Sequence, residues 1–335
     1  MPVPEIQDIF ITHLHMDHFA DLPYIYAFGP FLMRWKPMRV IGPSGRTPAM
    51  GTKAMVDAMV KMSAWHIQSF SSIPVGDGYE TEVTEFDYKD DGGICYNKNG
   101  VKVTHWRRNH TMDGASAYRL DWNGLSFVWT GDGKPDELTA KYAKGADVFI
   151  TEMVVDNPAL WSLKQGAPIE VGSFTIDSAH SAGYGVGYLN KLVQPRLGMT
   201  THFSYDTELL GEAIAEVRTH YKGMFAFGFD HQVVNVTKDA IWIRQAALPD
   251  TANNTKPNPQ WMVKELFGGA IPKEIVFPTP KYTLAENISA DLRALTYNPD
   301  IYTPPDMIRP WVNEWPKDLK MTPAQLAGGA PPPKK

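Results

Sequence analysis

The sequence predicts an α/β fold. Strand-like apolar stretches alternate with stretches of helical spacing, and no internal repeat interrupts this succession. Polar side chains able to bind metal follow several of the predicted strands, which is where α/β proteins keep their chemistry. With 335 residues, 43% of them hydrophobic, the chain is long enough to bury the large core of a soluble globular protein.

Each predicted element is assigned from its local pattern. The stretch 51–65 is assigned to a helix because Met55, Met59 and Met62 recur at helical spacing, which is more typical of a core-facing stripe than of a ligand set. The predicted strands are 9–11, 79–88, 101–106, the two stretches that end at Asp132 and at His202, and 232–244. The remaining predicted helices are 134–145, 181–192 and 207–221.

The most informative stretch begins at residue 12 and consists of Thr-His-Leu-His-Met-Asp-His, which places His13, His15, Asp17 and His18 within six residues. It follows the apolar run 9–11, so a predicted strand ends in three imidazoles and a carboxylate, the ligand types that suit zinc. A surface histidine tract would also explain the cluster, but the spacing and the apolar flanks argue against it. The sequence therefore predicts one wall of a metal site.

Further candidate ligands occur later in the chain. His110, Asp132 and His202 each follow a strand-like stretch, and His180 opens a predicted helix. Because α/β proteins gather functional side chains where strands run out into loops, these residues are candidates for the same site.

Taken together, these motifs resemble the metallo-β-lactamase superfamily over positions 8 to 245, and the flanking sequence is similar to its ribonuclease Z and arylsulfatase branch. The similar segments are Asp21-Leu-Pro, Ile41-Gly-Pro-Ser-Gly, Thr130-Gly-Asp, Gly145-Ala-Asp-Val-Phe-Ile-Thr-Glu, Ala179-His-Ser, Thr201-His-Phe-Ser and Ala226-Phe-Gly-Phe-Asp. The resemblance implies an αβ/βα sandwich of two facing mixed sheets with helices outside. The strands that usually precede the first motif are not recognisable in the sequence.

The resemblance also implies a zinc-dependent hydrolase with two zinc ions per chain. Its ligand pattern assigns His13, His15 and His110 to one ion, Asp17, His18 and His202 to the other, and Asp132 to a bridge between them. Two ions about 3.5–4 Å apart can share a carboxylate and a hydroxide, and zinc lowers the pKa of its bound water to about 7.

The implied catalytic residues are Asp17, Asp132 and His180. By analogy with the ribonuclease Z branch, His180 would donate a proton or support an oxyanion. This histidine could instead cap its helix or form a hydrogen bond to a ligand carboxylate.

Charge and spacing argue against a nucleic-acid substrate. The net charge is −5 and the pI about 6.1, whereas broad nucleic-acid affinity needs a basic surface. In the family, ribonuclease Z clamps tRNA with a long basic arm between the third histidine motif and the bridging aspartate, and here only 22 positions separate His110 from Asp132. We therefore expect a small aromatic or apolar organic substrate, no nucleic acid and no membrane partner.

The predicted substrate-binding residues are Phe19, Trp106, Arg107 and Trp129, although core packing or a solvated surface position would also explain them. The bond cleaved stays open among ester, lactone, sulfate or phosphate ester and activated aryl halide. Dehalogenation of chlorinated aromatic nitriles is a specific case. The motifs are also compatible with a ribonuclease Z-like phosphodiesterase, and with a non-hydrolytic metal protein or iron oxidoreductase on the same fold.

Composition divides the chain at Leu248. Residues 1–248 are predicted to form the catalytic domain, and 249–335, which hold more than half of the 27 prolines, an extension whose end, 328–335, is disordered. We expect a homodimer in which 249–325 contribute to the interface, because a sheet edge near the start of the chain needs cover. No run of 18 apolar residues is present, and the compartment stays open between cytoplasm and periplasm.

Overall fold

The computed structural model describes residues 6–73, 75–155, 157, 161–162, 165–203 and 209–246, and all of them fall within one unit of the chain, Met1–Asn254. The predicted boundary at Leu248, the extension at 249–335 with its disordered end at 328–335, and the dimer contacts at 249–325 lie outside the described residues. They stay predictions.

The described residues form twelve strands and seven α-helices. The strands are β1 (Asp8–Phe10), β2 (Met38–Pro43), β3 (Thr81–Phe86), β4 (Gly93–Lys98), β5 (Val101–Arg107), β6 (Ser116–Trp122), β7 (Leu125–Trp129), β8 (Val148–Glu152), β9 (Leu197–Thr201), β10 (Phe225–Phe227), β11 (Gln232–Val236) and β12 (Ile241–Gln245). The helices are α1 (Leu22–Phe31), α2 (Thr52–Met62), α3 (Ala64–Ser69), α4 (Glu137–Tyr142), α5 (Ile169–Phe174), α6 (Gly183–Val193) and α7 (Leu210–Arg218). Short 3₁₀ turns occur at Met16–His18 and Pro48–Met50, and a π-helical turn at Thr175–Ala179.

The strands form a large mixed sheet and two small sheets. The large sheet has the order β10-β9-β8-β7-β6-β5-β4, antiparallel from β4 to β7 and parallel from β7 to β10. The parallel sheet β1-β2-β3 faces it, since the rings of Phe10 and Tyr118 lie 5.5 Å apart and the Tyr118 hydroxyl donates to the Ile11 carbonyl at 2.5 Å. The third sheet is the hairpin β11-β12.

Helices cover the outer faces of the facing sheets. On the large sheet, Val128 and Phe149 pack with Leu189 and Val193 of α6, and on the small sheet Val40 packs with Val56 of α2. These four-layer contacts confirm the predicted αβ/βα sandwich, although the smaller of the two facing sheets is parallel and not mixed as predicted. None of the described helices is both long and apolar enough to cross a bilayer.

Two predicted elements differ from the structure. The helix over 51–65 breaks at Ser63 into α2 and α3; Met59 is buried as predicted, whereas Met62 is 68% exposed. The closing strand over 232–244 is the hairpin β11-β12. The Thr237 hydroxyl accepts hydrogen bonds from the backbone N–H groups of Asp239 and Ala240, which stabilises a turn that contains no glycine or proline.

Trp106 is not a substrate-binding residue. It is fully buried on the outer face of the large sheet, where its ring stacks on Tyr142 and its Nε1–H donates to the Thr139 hydroxyl at 3.0 Å. The prediction was wrong because nearness to His110 in sequence does not determine the face to which a strand residue points.

We expect Trp106→Ala to lower the free energy of unfolding by about 3–5 kcal/mol, because it leaves a large cavity under α4. Trp122→Ala is the matched control: Trp122 is 52% exposed, so its loss should change stability by less than about 1 kcal/mol. Urea unfolding measures both, and equal costs would contradict the core assignment.

Candidate metal centre

The first ligand cluster forms where β1 and β5 run out into loops. His13 Nε2 lies 3.1 Å from His15 Nδ1, and His110 Nε2 lies 3.1 Å from the same atom. Ligand atoms about 2.0–2.1 Å from one ion at tetrahedral angles are about 3.3–3.4 Å apart, so this spacing suits a shared cation.

A second cluster lies beside the first. The Asp17 carboxylate oxygen Oδ2 is 3.3 Å from His18 Nε2 and 3.2 Å from His202 Nε2. The Asp132 oxygen Oδ2 is 3.2 Å from His18 Nε2 and 3.6 Å from His202 Nε2. Four ligand atoms from three separate parts of the chain therefore surround one space.

Asp132 joins the two clusters. It groups with His18 and His13 as well as with His202, and its side chain is only 2% exposed. Burial opposes its ionisation, but the neighbouring imidazoles, His18 first, hold the pKa of Asp132 below its ordinary range. Asp132 Oδ1 is buried without a hydrogen-bond partner. His18 Nε2 is also buried, and its contacts are to carboxylate oxygens. Such a donor set fits one or two divalent cations.

A glycine lets Asp132 reach this position. Gly131 has φ of +60°, and a Cβ there would lie 2.7 Å from Thr12 Cβ. Only glycine tolerates both the left-handed conformation and this close approach, so the end of β7 can pass the end of β1.

Burial keeps the inner histidines neutral. Desolvation lowers the pKa of His13 to about 3 and that of His110 to about 4, so both have free lone pairs at neutral pH. His110 Nδ1 lies 2.8 Å from the carbonyl oxygen of Ala179. A proton on Nδ1 donated to that carbonyl leaves Nε2 available as a ligand.

A buried histidine–glutamate pair lies next to the ligands. His180 Nδ1 is 3.5 Å from Glu152 Oε2 and 3.7 Å from Asp132 Oδ2. Burial acts to lower the pKa of His180, but the contact with Glu152 outweighs it and the net direction is upward. Glu152 Oε1 accepts from the backbone N–H groups of Ser181 at 2.8 Å and Gly133 at 3.2 Å.

Glu152 was not among the residues predicted from sequence. It ends β8 and is 1% exposed, and an unpaired buried carboxylate is costly, so its contact with His180 and two backbone donors explains its presence. The signal was present in the sequence, because Glu152 closes the Gly145-Ala-Asp-Val-Phe-Ile-Thr-Glu segment that carries part of the resemblance.

The site opens to solvent on one side. His15 and Asp17 are exposed, whereas His13, His110 and Asp132 are buried. His202 follows β9 with φ of +52°, a conformation that is uncommon for non-glycine residues and that concentrates at functional sites.

Of the predicted substrate-binding residues, only Phe19 lines a cavity beside the ligands. That cavity, about 350 Å³, also contains His13, His15 and His110. Arg107 is exposed and pairs with Asp91, at 2.5 Å, and Trp129 lies beside Phe127 on the inner face of the large sheet. A second cavity, about 240 Å³, is lined by His180 and His202.

Comparisons by sequence identify ribonucleases. The chain is 26% identical to ribonuclease Z of Halalkalibacterium halodurans over 167 residues, which cover 50% of this chain and 43% of the relative. It is 25% identical to ribonuclease Z of Mycobacterium marinum over 150 residues, 44% of this chain and 51% of the relative. Endoribonuclease ysh-1 of Neurospora crassa is 26% identical over 43% of this chain and 17% of the relative. No protein-family model matches the sequence.

Solved structures with a similar fold include the metallo-β-lactamase fold protein YhfI of Bacillus subtilis, with 14% identity, a TM-score of 0.47 and coverage of 73% of this chain and 80% of that chain. Human tRNase Z, short form, has 18% identity and a TM-score of 0.46, with coverage of 69% and 79%. The chain spans about half the length of the ribonuclease Z relatives, and less of the endoribonuclease.

The sequence relatives confirm the resemblance to the metallo-β-lactamase superfamily and its ribonuclease Z branch. They contradict the expectation of a small-molecule substrate without nucleic acid, which is therefore wrong. That expectation rested on the short interval between His110 and Asp132 and on a net charge of −5. The net charge describes the whole chain, whereas cations held at one site can bind a phosphate locally.

Loss of a residue that only contacts a metal ligand typically lowers metal affinity by about 10–100-fold. We expect His110→Ala to lower zinc affinity by more than this, because the substitution removes a ligand itself and leaves the charge of Asp132 less well compensated. His220→Ala is the control, since His220 is exposed and belongs to neither cluster. Metal bound after dialysis at buffered zinc measures both variants. Equal metal retention would show that the cluster does not bind the ion.

Proposed function

We propose that this chain is a metal-dependent phosphodiesterase that hydrolyses RNA, with two zinc ions held in the two clusters that share Asp132. The observation that carries the proposal is the convergence of seven ligand side chains, from four separate parts of the chain, on one buried carboxylate. The sequence relatives, which are ribonucleases, support the choice of reaction and of polymer.

Two neighbouring cations suit a phosphodiester. Such a pair supplies a water-derived nucleophile at neutral pH and neutralises the charge on the attacked phosphate. The chain's own contribution is to hold the ligands in place. Asp132 supplies negative charge between the clusters, and the exposed Asp17 and His15 lie on the side from which a substrate can approach.

His180 is placed to assist the leaving oxygen. Its Nδ1 faces Glu152, which orients the ring and favours the protonated form, so the imidazole can donate a proton as the phosphorus–oxygen bond breaks. Glu152 is itself fixed by the backbone of the His180 and Asp132 loops. It acts as a positioning residue.

The proposal specifies RNA as the substrate and does not specify tRNA. The interval between His110 and Asp132, which the structure describes throughout, is filled by β6, β7 and tight connections, and no long arm extends from it. If the chain binds RNA, this interval does not supply a clamp, so contacts near the metal centre become more important for affinity.

The test is hydrolysis of short RNA oligonucleotides by metal-depleted protein to which zinc is returned. We expect cleavage that rises with zinc, saturates near two equivalents per chain and is lost in Asp132→Ala. DNA oligonucleotides and an aryl carboxylic ester serve as comparison substrates. Cleavage of the ester without cleavage of any phosphodiester by the zinc-loaded protein would overturn the proposal.

We expect His180→Ala to retain its metal and to slow cleavage of RNA by about 10²–10⁴-fold, because a nucleoside oxygen leaves poorly without a proton. The loss should shrink for a nitrophenyl phosphodiester, whose leaving group needs no proton. Initial rates on both substrates give the ratio. An equal loss on both would assign His180 a structural role.

A further inference from the structure

The cavity beside His180 and His202 is distinct in composition from the metal centre. Its wall includes the half-buried Trp161 and the buried Phe203, and it has a volume of about 240 Å³. That volume is below the range of about 300–1,000 Å³ found for drug-sized ligands, so it suits a single ring system.

The lining favours a neutral, planar group. Among the described residues that line the cavity, none is aspartate, glutamate, lysine or arginine, and the titratable side chains are those of His180 and His202. The apolar side chains of Val155 and Leu209 lie with Trp161, and the amide of Gln165 adds donors and an acceptor. Apolar walls with an amide match the faces and edge of a nucleobase.

The position of His180 indicates which side of the scissile bond lies next to this cavity. His180 lines the cavity, and the proposed function gives it the proton for the leaving oxygen. The nucleoside attached to that oxygen must therefore lie on the His180 side. The cavity that contains His13, His15 and His110 lies at the other cluster, and His180 is not among the described residues that line it.

On the basis of this geometry, and resting on the proposed function, we propose that the cavity binds the base of the leaving nucleotide, with Trp161 as its stacking partner. The base is recognised by stacking and by amide contacts, so the leaving residue contributes to affinity through its ring as well as its sugar and phosphate. Base–aromatic stacking is sequence-tolerant because every base has a π-face.

The test compares two short RNAs that differ only at the leaving residue, which has its base in one and is abasic in the other. Wild-type protein should cleave the base-containing RNA about 5- to 150-fold faster, the factor that one stacked base provides. Trp161→Ala should remove this preference, and Trp161→Phe should keep most of it. Trp65→Ala is the matched control, because Trp65 is 82% exposed on α3.

Binding of the same two RNAs to the metal-depleted protein separates this inference from the proposed reaction. A preference for the base that Trp161→Ala abolishes supports the site even if hydrolysis fails. An equal effect of Trp161→Ala on both RNAs, or no preference in the wild-type protein, overturns the base site while leaving phosphodiester cleavage intact. Absence of cleavage by zinc-loaded protein counts against the reaction alone.

Discussion

The buried carboxylate of Asp132 is the constraint on which the rest of the site depends. An isolated ionised carboxylate in an apolar interior costs many kcal/mol unless opposite charge or strong hydrogen bonds compensate it. Here imidazoles at 3.2 and 3.6 Å compensate part of that cost, and a cation held by these side chains would compensate more of it. The ends of β1, β7 and β9 must therefore meet, and Gly131 allows the end of β7 to pass Thr12.

The candidate metal ligands could be noticed in the sequence because several of them follow strands, whose ends converge in an α/β sandwich, and the resemblance to the family then assigned the ligand set. What the sequence did not reveal depends on tertiary contacts. Glu152 looks like an ordinary strand residue until β8 is placed beside the His180 loop. Trp106 looks like a neighbour of His110 until the face of β5 to which it points is known. The hairpin turn after Val236 is stabilised by a threonine hydroxyl. In a sequence, threonine is a weaker signal for a turn than glycine or proline.

The expectation about substrate failed for a different reason. Net charge is a sum over the surface, and it governs long-range attraction and nonspecific binding. Chemistry at a phosphate depends instead on the potential within a few ångströms, which at this site is set by imidazoles, three nearby carboxylates and any cation that they hold. An acidic chain and a phosphate-binding centre are therefore compatible, although electrostatic steering of the polymer is weaker.

The spread of the ligands from residue 13 to residue 202 has a consequence for biosynthesis. During translation, at about 5–20 residues per second, the stretch with His13, His15, Asp17 and His18 precedes His202 by roughly 10–40 s. In that interval the set of candidate ligands is incomplete, because it lacks His202 throughout and Asp132 for the first part. Metal that is present during synthesis therefore binds an unfolded peptide, whereas metal that is supplied after folding binds a pre-arranged pocket. The order of folding and metal supply decides by which of these routes an ion is acquired.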